Sequence, residues 1–402
     1  AMRRELALVE AARGPAAPQL STPLHNLAAT LERQGGDAHL AEVAALLRRA
    51  VAVHERASGA RHPDTARALL RLGQFEADQG RHADADALFA RAASGLDAPP
   101  GALPAGRAEV LAEVVAAQGR LQLEQLAYAR AEPLLARAVA LSTEALGADD
   151  PLTGRRLGEW AAALSGLGQP ERAEPLLRRA LAIAEQHAGA RSAEAGDALN
   201  RLAALASSQR RHAEAEVLYQ RALAIRAASW AAAPAAAYPA YRQGLDTLAF
   251  HFQAQGAPER AEPLFRRAVE VTESRQPPDP AALAQAALNL AENLRAQRRP
   301  AEAETWLRRA LALETGRLGS DHPRPAQLQG RLAALRWTQG DAAAAETLYR
   351  QALATLAASP LADRGDSARL LDDLAALYRA TQRPAEALAS RRRAEALRLQ
   401  RP

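Results

Sequence analysis

The sequence predicts an all-α fold, an α-solenoid of about nine helix pairs stacked in series. Three observations carry that prediction. Apolar residues recur at three- and four-residue spacing rather than alternately, which marks amphipathic helices and not strands. The amphipathic unit repeats at a near-constant period through the whole 402-residue chain. Each unit is too small to bury its own apolar stripes, so it must stack on copies of itself.

The stretch from Ser192 to Arg226 shows the unit most plainly. Leu199, Leu202, Ala203 and Ala206 make one helical stripe, and Ala215, Leu218, Tyr219, Ala222 and Leu223 make a second. The polar run from Ser207 to His212 separates them as a turn. The alanine late in the second helix recurs as Ala50, Ala92, Ala138, Ala180, Ala222, Ala268, Ala310, Ala352 and Ala394, at intervals of 42 or 46 residues. Seven residues earlier stands another small residue, Val43 in the first copy and alanine in the rest. Between the two comes a large apolar one, such as Leu47, Phe89 or Tyr219. Small, large, small at this spacing lets a second helix nest between its neighbours.

Taken in order, residues 3–13 read as one short helix, ended by Gly14-Pro15 and Pro18. Residues 1–19 are then a leading cap or an arm. The first pair follows, with Leu24, Leu27, Ala28 and Leu31 on one helix and Leu46, Leu47, Ala50 and Val51 on the other. Helix starts are marked by Pro63, Pro151, Pro280 and Pro323 behind His62, Asp150, Asp279 and His322. Proline suits a first turn because its missing N–H has no helical partner there, and the residue before it caps. Turns inside pairs carry Gly80, Gly168, Gly256 and Gly340, suited to helix ends. Glu174–Arg178, Glu262–Arg266, Glu304–Arg308 and Glu346–Arg350 are four apart on second helices, giving local support on an exposed face.

Two of the intervals are longer by four residues. The first insertion, 97–104, is proline-rich and reads as a plain loop. The second, 229–241, carries Trp230, Tyr238 and Tyr241 in a chain with only 4% aromatics. These rings either pack over the adjacent helix pair or form an aromatic lip on a binding site. The last copy has Arg391 where the others have Leu, Phe or Tyr, and Ser390 onward reads as the polar terminal cap that solenoids need. Residues 400–402 are a tail.

The small-large-small pattern, with Leu-Ala or Leu-Gly nineteen to twenty residues before the last alanine, resembles the tetratricopeptide repeat. The 42-residue period and particular strings are similar to the repeats of kinesin light chains and their bacterial relatives. Those strings are AEPLL (131–135 and 173–177), AEPLF (261–265), AEAEVLYQRALAI (213–225), HPDTA (62–66) and LGSDHP (318–323). The resemblance implies a right-handed superhelix of about nine tetratricopeptide-like pairs over residues 20–399. It also implies that first helices line a concave groove that binds a protein or peptide, and it accounts for Pro133, Pro175 and Pro263 early in second helices. The expected groove side chains are Arg120, Arg155 and Asn200, then Asp246, Phe250 and Gln253, then Gln285, Asn289, Glu292 and Arg295, and finally Trp337. Amides there both donate to and accept from a peptide backbone, and arginine pairs bidentately with a carboxylate. Kinesin light chain repeats carry asparagines just before Leu-Ala. Asn26, Asn200 and Asn289 are read as matching them, and the chain departs from the pattern at Leu70, Ala116, Gly158, Gly330 and Asp372.

Composition narrows the function classes. There is no cysteine, hence no disulfide or thiolate metal site, and the nine histidines show no metal-ligand spacing. No phosphate-binding loop or nucleophile elbow is present. The expectation is therefore a non-enzymatic chain with neither metal nor cofactor. Five arginines against Glu395 in the last fifteen residues supply +4 of the net +5, so the body is nearly neutral and lacks the stripe that nucleic acid requires. No apolar run approaches a membrane span. Absent lysine and only two isoleucines, beside abundant alanine and arginine, point to GC-rich codons and a bacterial source. Cytoplasmic location is expected. Ala1 before Met2 resembles a tag scar, which leaves a removed signal peptide and the periplasm open. The functional expectation is a protein-binding scaffold. The alternative is a sensor that binds a small peptide or metabolite and signals through superhelix shape, with self-association through the second insertion as a further expectation.

Overall fold

A computed structural model describes residues 2–15, 17–97 and 104–399. The loop expected between Asp97 and Pro104 and the tail at 400–402 lie outside the described residues. The chain divides into two compact units, residues 1–218 and 219–402.

The first unit runs through α1 (Met2–Arg13), α2 (Ser21–Gln34), α3 (Asp37–Ser58), α4 (Pro63–Asp78) and α5 (His82–Leu96). It continues with α6 (Ala105–Glu124), α7 (Tyr128–Leu146), α8 (Pro151–Gly166), α9 (Pro170–Ala188), α10 (Ala193–Ser208) and the start of α11 (His212–Ala232). The second unit holds the rest of α11, then α12 (Pro234–Ala254), α13 (Pro258–Glu273), α14 (Pro280–Ala296) and α15 (Pro300–Leu318). It ends with α16 (Pro323–Thr338), α17 (Ala342–Ala358), α18 (Arg364–Ala380) and α19 (Pro384–Leu399). Among the described residues there is no strand. Consecutive helices pack side by side from α2 to α10, and again from α12 to α19. This is the expected all-α solenoid order, with even-numbered helices as the first and odd-numbered helices as the second member of each pair.

The spacing of small and large residues explains the packing. Phe89, Leu135, Leu177, Phe265, Leu307 and Tyr349 are all buried, each between two buried alanines on its own helix. The first helix makes room for them: a Cβ on Gly73 would stand 2.5 Å from the Phe89 ring. Arg391 of α19 is exposed, so the last second helix shows a polar side where its predecessors show core.

Capping follows the local sequence. His62 Nδ1 accepts from the Asp64 N–H at 3.2 Å, His322 Nδ1 from Arg324, and the carboxylates of Asp150 and Asp279 from Leu152 and Ala282. Every turn inside a pair from α4 onward needs one residue at positive φ. Gly80, Gly168, Gly256 and Gly340 supply it at 69–88°, and Leu126, Arg210, Arg298 and Gln382 adopt it at 56–60°. Glycine has no steric cost there; the other four do.

The helix at the N-terminus docks. Leu6 is buried, Arg3 pairs with Glu42 at 2.8 Å and Arg49 with Glu10 at 2.6 Å, which ties α1 to α3. The second insertion lengthens helices rather than forming a loop: α11 and α12 are each 21 residues long, with only Ala233 between them. Tyr238 and Tyr241 are 7% exposed each. Trp230 stacks on Tyr241 at 5.2 Å and lies under the Arg267 guanidinium. Tyr238 reaches the Thr272 hydroxyl at 3.1 Å. The two tyrosines are therefore core: four extra residues per pair give the helices another turn of surface that must be covered.

Candidate functional site

On the exposed side of the first helices, polar side chains meet across successive pairs in a fixed register. Arg71 of α4 holds Glu32 of α2, and Arg120 of α6 meets Glu159 of α8 at 3.3 Å. In the second unit Arg331 of α16 meets Glu292 of α14 at 2.7 Å, Arg324 meets Gln285 at 3.0 Å, and Gln327 meets Asp366 of α18 at 2.5 Å. In all five the partners are 39 residues apart. One repeat minus three residues puts a side chain on one first helix beside a side chain one turn back on the next. The contacts are rungs of a ladder, and the α14–α16 interface has two of them.

Several side chains expected to be free for a ligand are thus already engaged. Arg120, Gln285 and Glu292 are rung members, and Gln285 also donates to Asn289 at 2.8 Å. Arg295 holds the other Glu292 oxygen at 2.8 Å. Burial alone would raise the Glu292 pKa, but the hydrogen bonds from Arg295 and Arg331 outweigh it and hold this carboxyl below its ordinary value. Asn200 is half-buried and has a partner of its own. It also stands two residues before Leu202-Ala203, whereas Asn289 stands one before Leu290-Ala291, so the two are not equivalent positions.

Asp246 departs from the expectation of an exposed slot. It is 9% exposed and paired with Arg242 at 2.5 Å, and its Oδ1 has no partner. Burial pushes its carboxyl above the usual aspartate range, with Arg242 and an Asn289 hydrogen bond opposing only in part. By register Asp246 is equivalent to Leu288 one repeat later, itself a buried position, so its side chain points into the stack. Trp337 is partly buried against the core of α16, α17 and α18. Phe250 is 48% exposed, with its ring set edge-on to Phe265 at 5.3 Å, and Gln253 is half-buried one turn on.

The interface between α8 and α10 is built differently. Its two rung positions hold Arg155 with Glu194, and Ala162 with Arg201. Neither forms: among the described residues Arg155, Glu194 and Arg201 have no hydrogen-bond or ion-pair partner. Between them lies a cavity of about 420 Å³ with a floor of Leu177, Ala180 and Ile183 from α9. The cavity between α14 and α16 is about 210 Å³ and lies further along those helices, beside Ala291, Arg295 and Leu335. The difference is residue size. Gly158 and Ala198 face each other across the α8–α10 gap, where α14 and α16 have Leu288 and Leu328. Gly154 a turn earlier admits Ile183, which a Cβ there would meet at 2.9 Å, and Arg201 lies across Gly158, so that a Cβ there would stand 2.5 Å from its Nη1. Gly158 departs from the asparagine pattern in the sequence and Arg155 is an expected groove side chain, and rung positions 39 residues apart are the signal that joins them into one site.

Among the described residues no group of acidic, histidine or cysteine side chains is placed to hold a metal, and no helix is long and apolar enough to cross a membrane. Profiles described as tetratricopeptide repeat match residues 24–64, 111–186, 157–228 and 282–358. No curated protein matches the chain. A solved Podosopora anserina putative kinesin light chain with nearly identical TPR-like repeats is 20% identical over 53% of this chain and 99% of its own, at a TM-score of 0.46. The apo form of RapI is 10% identical over 83% of this chain and 98% of its own, at 0.57. A signal transduction ATPase with a tetratricopeptide repeat sensor, from Pyrococcus horikoshii, is 12% identical over 94% of this chain and 52% of its own, at 0.55. The latter two share the fold.

Proposed function

Since the chain belongs to the tetratricopeptide repeat family, we propose that it is a non-enzymatic scaffold whose first helices bind a segment of a partner protein. The observation that carries the reading is Phe250. It occupies a rung position, equivalent to Glu292 one repeat later, and faces Asn289 in place of an ion pair. An aromatic ring 48% exposed beside amides is the kind of anchor around which peptide recognition is organised. By sequence register Asn289 stands 39 residues on from Phe250, and Gln253 three residues after it on the same helix.

A peptide library displayed on phage and selected on the immobilised full chain tests this. Enriched peptides should lose roughly tenfold or more in affinity against Phe250→Ala, the size of a modest hot spot. Peptides held equally by that variant would place the partner elsewhere on the chain, and a selection with no enrichment would remove the reading. The cavity between α8 and α10 favours a second reading, a sensor for a small peptide or metabolite, which shares no residue with the Phe250 surface.

A further inference from the structure

We propose that the α8–α10 cavity binds a small zwitterion with an apolar body, an apolar α-amino acid or apolar dipeptide with free ends. This deepens the sensor reading and rests on it. Three features specify the ligand. The floor is aliphatic, and the 420 Å³ volume is in the range of small-molecule pockets and too small for a folded element. The rim carries unpartnered charges of both signs: Arg201 and Arg155 on one hand, Glu194 on the other. The other carboxylates at the rim are already occupied, Glu159 by Arg120 and Asp197 by a partner of its own.

Charge complementarity then selects among ligands. A simple anion would meet Glu194 and Asp197 as well as the arginines. A neutral hydrocarbon would leave Arg155, Arg201 and Glu194 without hydrogen-bond partners. A zwitterion satisfies both, with its carboxylate accepting from Arg201 and Arg155, its ammonium donating to Glu194, and its side chain resting on Leu177 and Ile183. At the α2–α4, α6–α8 and α14–α16 interfaces arginine and glutamate close on each other directly. Here the glycine and alanine hold the gap open, so the ligand completes the two rungs that the sequence leaves unmade.

The test is calorimetric titration of the full chain with L-leucine, L-phenylalanine, Leu-Leu, N-acetyl-Leu-Leu and Leu-Leu-amide. At least one free zwitterion should bind, and which one does tells an amino acid from a dipeptide. Each blocked dipeptide should bind about tenfold or more weakly than Leu-Leu, or not at all, because one charge-assisted contact is gone. Gly158→Leu, which places in α8 the residue that α14 uses, should abolish binding. Arg201→Gln and Glu194→Gln remove exposed groups with no partner, so they leave the fold intact and should each weaken binding about tenfold. No heat from any free zwitterion, equal binding of the blocked forms, or unchanged binding by the Gln variants would overturn the proposal. None of these outcomes touches the Phe250 peptide surface, so the two readings fail separately.

Discussion

The α14–α16 and α8–α10 interfaces are the same structural unit carrying different side chains. In the first, Leu288 and Leu328 fill the gap and Glu292 meets both Arg331 and Arg295. In the second, Gly158 and Ala198 leave it hollow, and Ala162 deprives Arg201 of the carboxylate that Arg331 has. Secondary structure is the same in both. The lesson is that a repeat fold separates what makes it stand from what makes it recognise. The alanines and large residues of the second helices sustain the stack, and a few first-helix positions decide whether an interface is closed or open.

That comparison can be broken most forcefully at the shared large residue. Leu307→Ala, at the closed interface, should cost about 2–5 kcal/mol in urea unfolding. Leu177→Ala, at the open one, should fall toward the low end, because Leu177 faces a cavity of about 420 Å³ and Leu307 one of about 210 Å³, which leaves Leu177 fewer contacts to lose. Equal losses would mean that the cavity collapses around the leucine in solution.

Filling the hollow should act in the other direction. Gly158→Leu should raise stability by about 1–2 kcal/mol, from the glycine's helix penalty and the newly buried side chain. The close atom is the end of an unpartnered arginine, which is free to move. Thermal unfolding read beside ligand titration separates the effects: stability up and binding lost is the expected result.

Asp246 sharpens the comparison through pH. Its folded pKa is raised, chiefly by burial, so the folded state binds its proton more tightly than the unfolded chain. Stability from this group is therefore lost as pH rises from the ordinary aspartate value, about 3.9, through the raised folded one. Asp246→Asn should be more stable than wild type at pH 7, and the two should converge below about pH 4. A constant difference across that range in chemical denaturation would show that the carboxyl is not strained by burial.

The smallest effects concern single rungs and turns. Ala162→Glu gives Arg201 the partner that Arg331 has, and should add about 0.2–1 kcal/mol at low salt, less at high salt. Glu292→Gln should remove a similar amount from the closed interface. Arg298→Gly, at a turn with φ 59°, should add up to about 1 kcal/mol by relieving left-handed strain. An equal change at Gly256 is not available, since that turn already has the unstrained residue.

The sequence by itself determined the fold class, the order of the helices and most of the core, because these rest on local periodicity. A stripe at three- and four-residue spacing and a small-large-small motif at a fixed interval are properties of neighbours along the chain. Prolines after His62 and Asp150, and glycines such as Gly80, marked starts and turns for the same reason. Only the tertiary structure decided which polar residues are free. Asp246 turned inward, Glu292 and Gln285 were claimed by arginines 39 residues on, and Tyr238 and Tyr241 joined the core. The α8–α10 cavity exists only because a glycine on one helix faces an alanine on the next. Pairing across helices depends on register between repeats and on the size of the facing residue, and neither is carried by any single stretch of sequence.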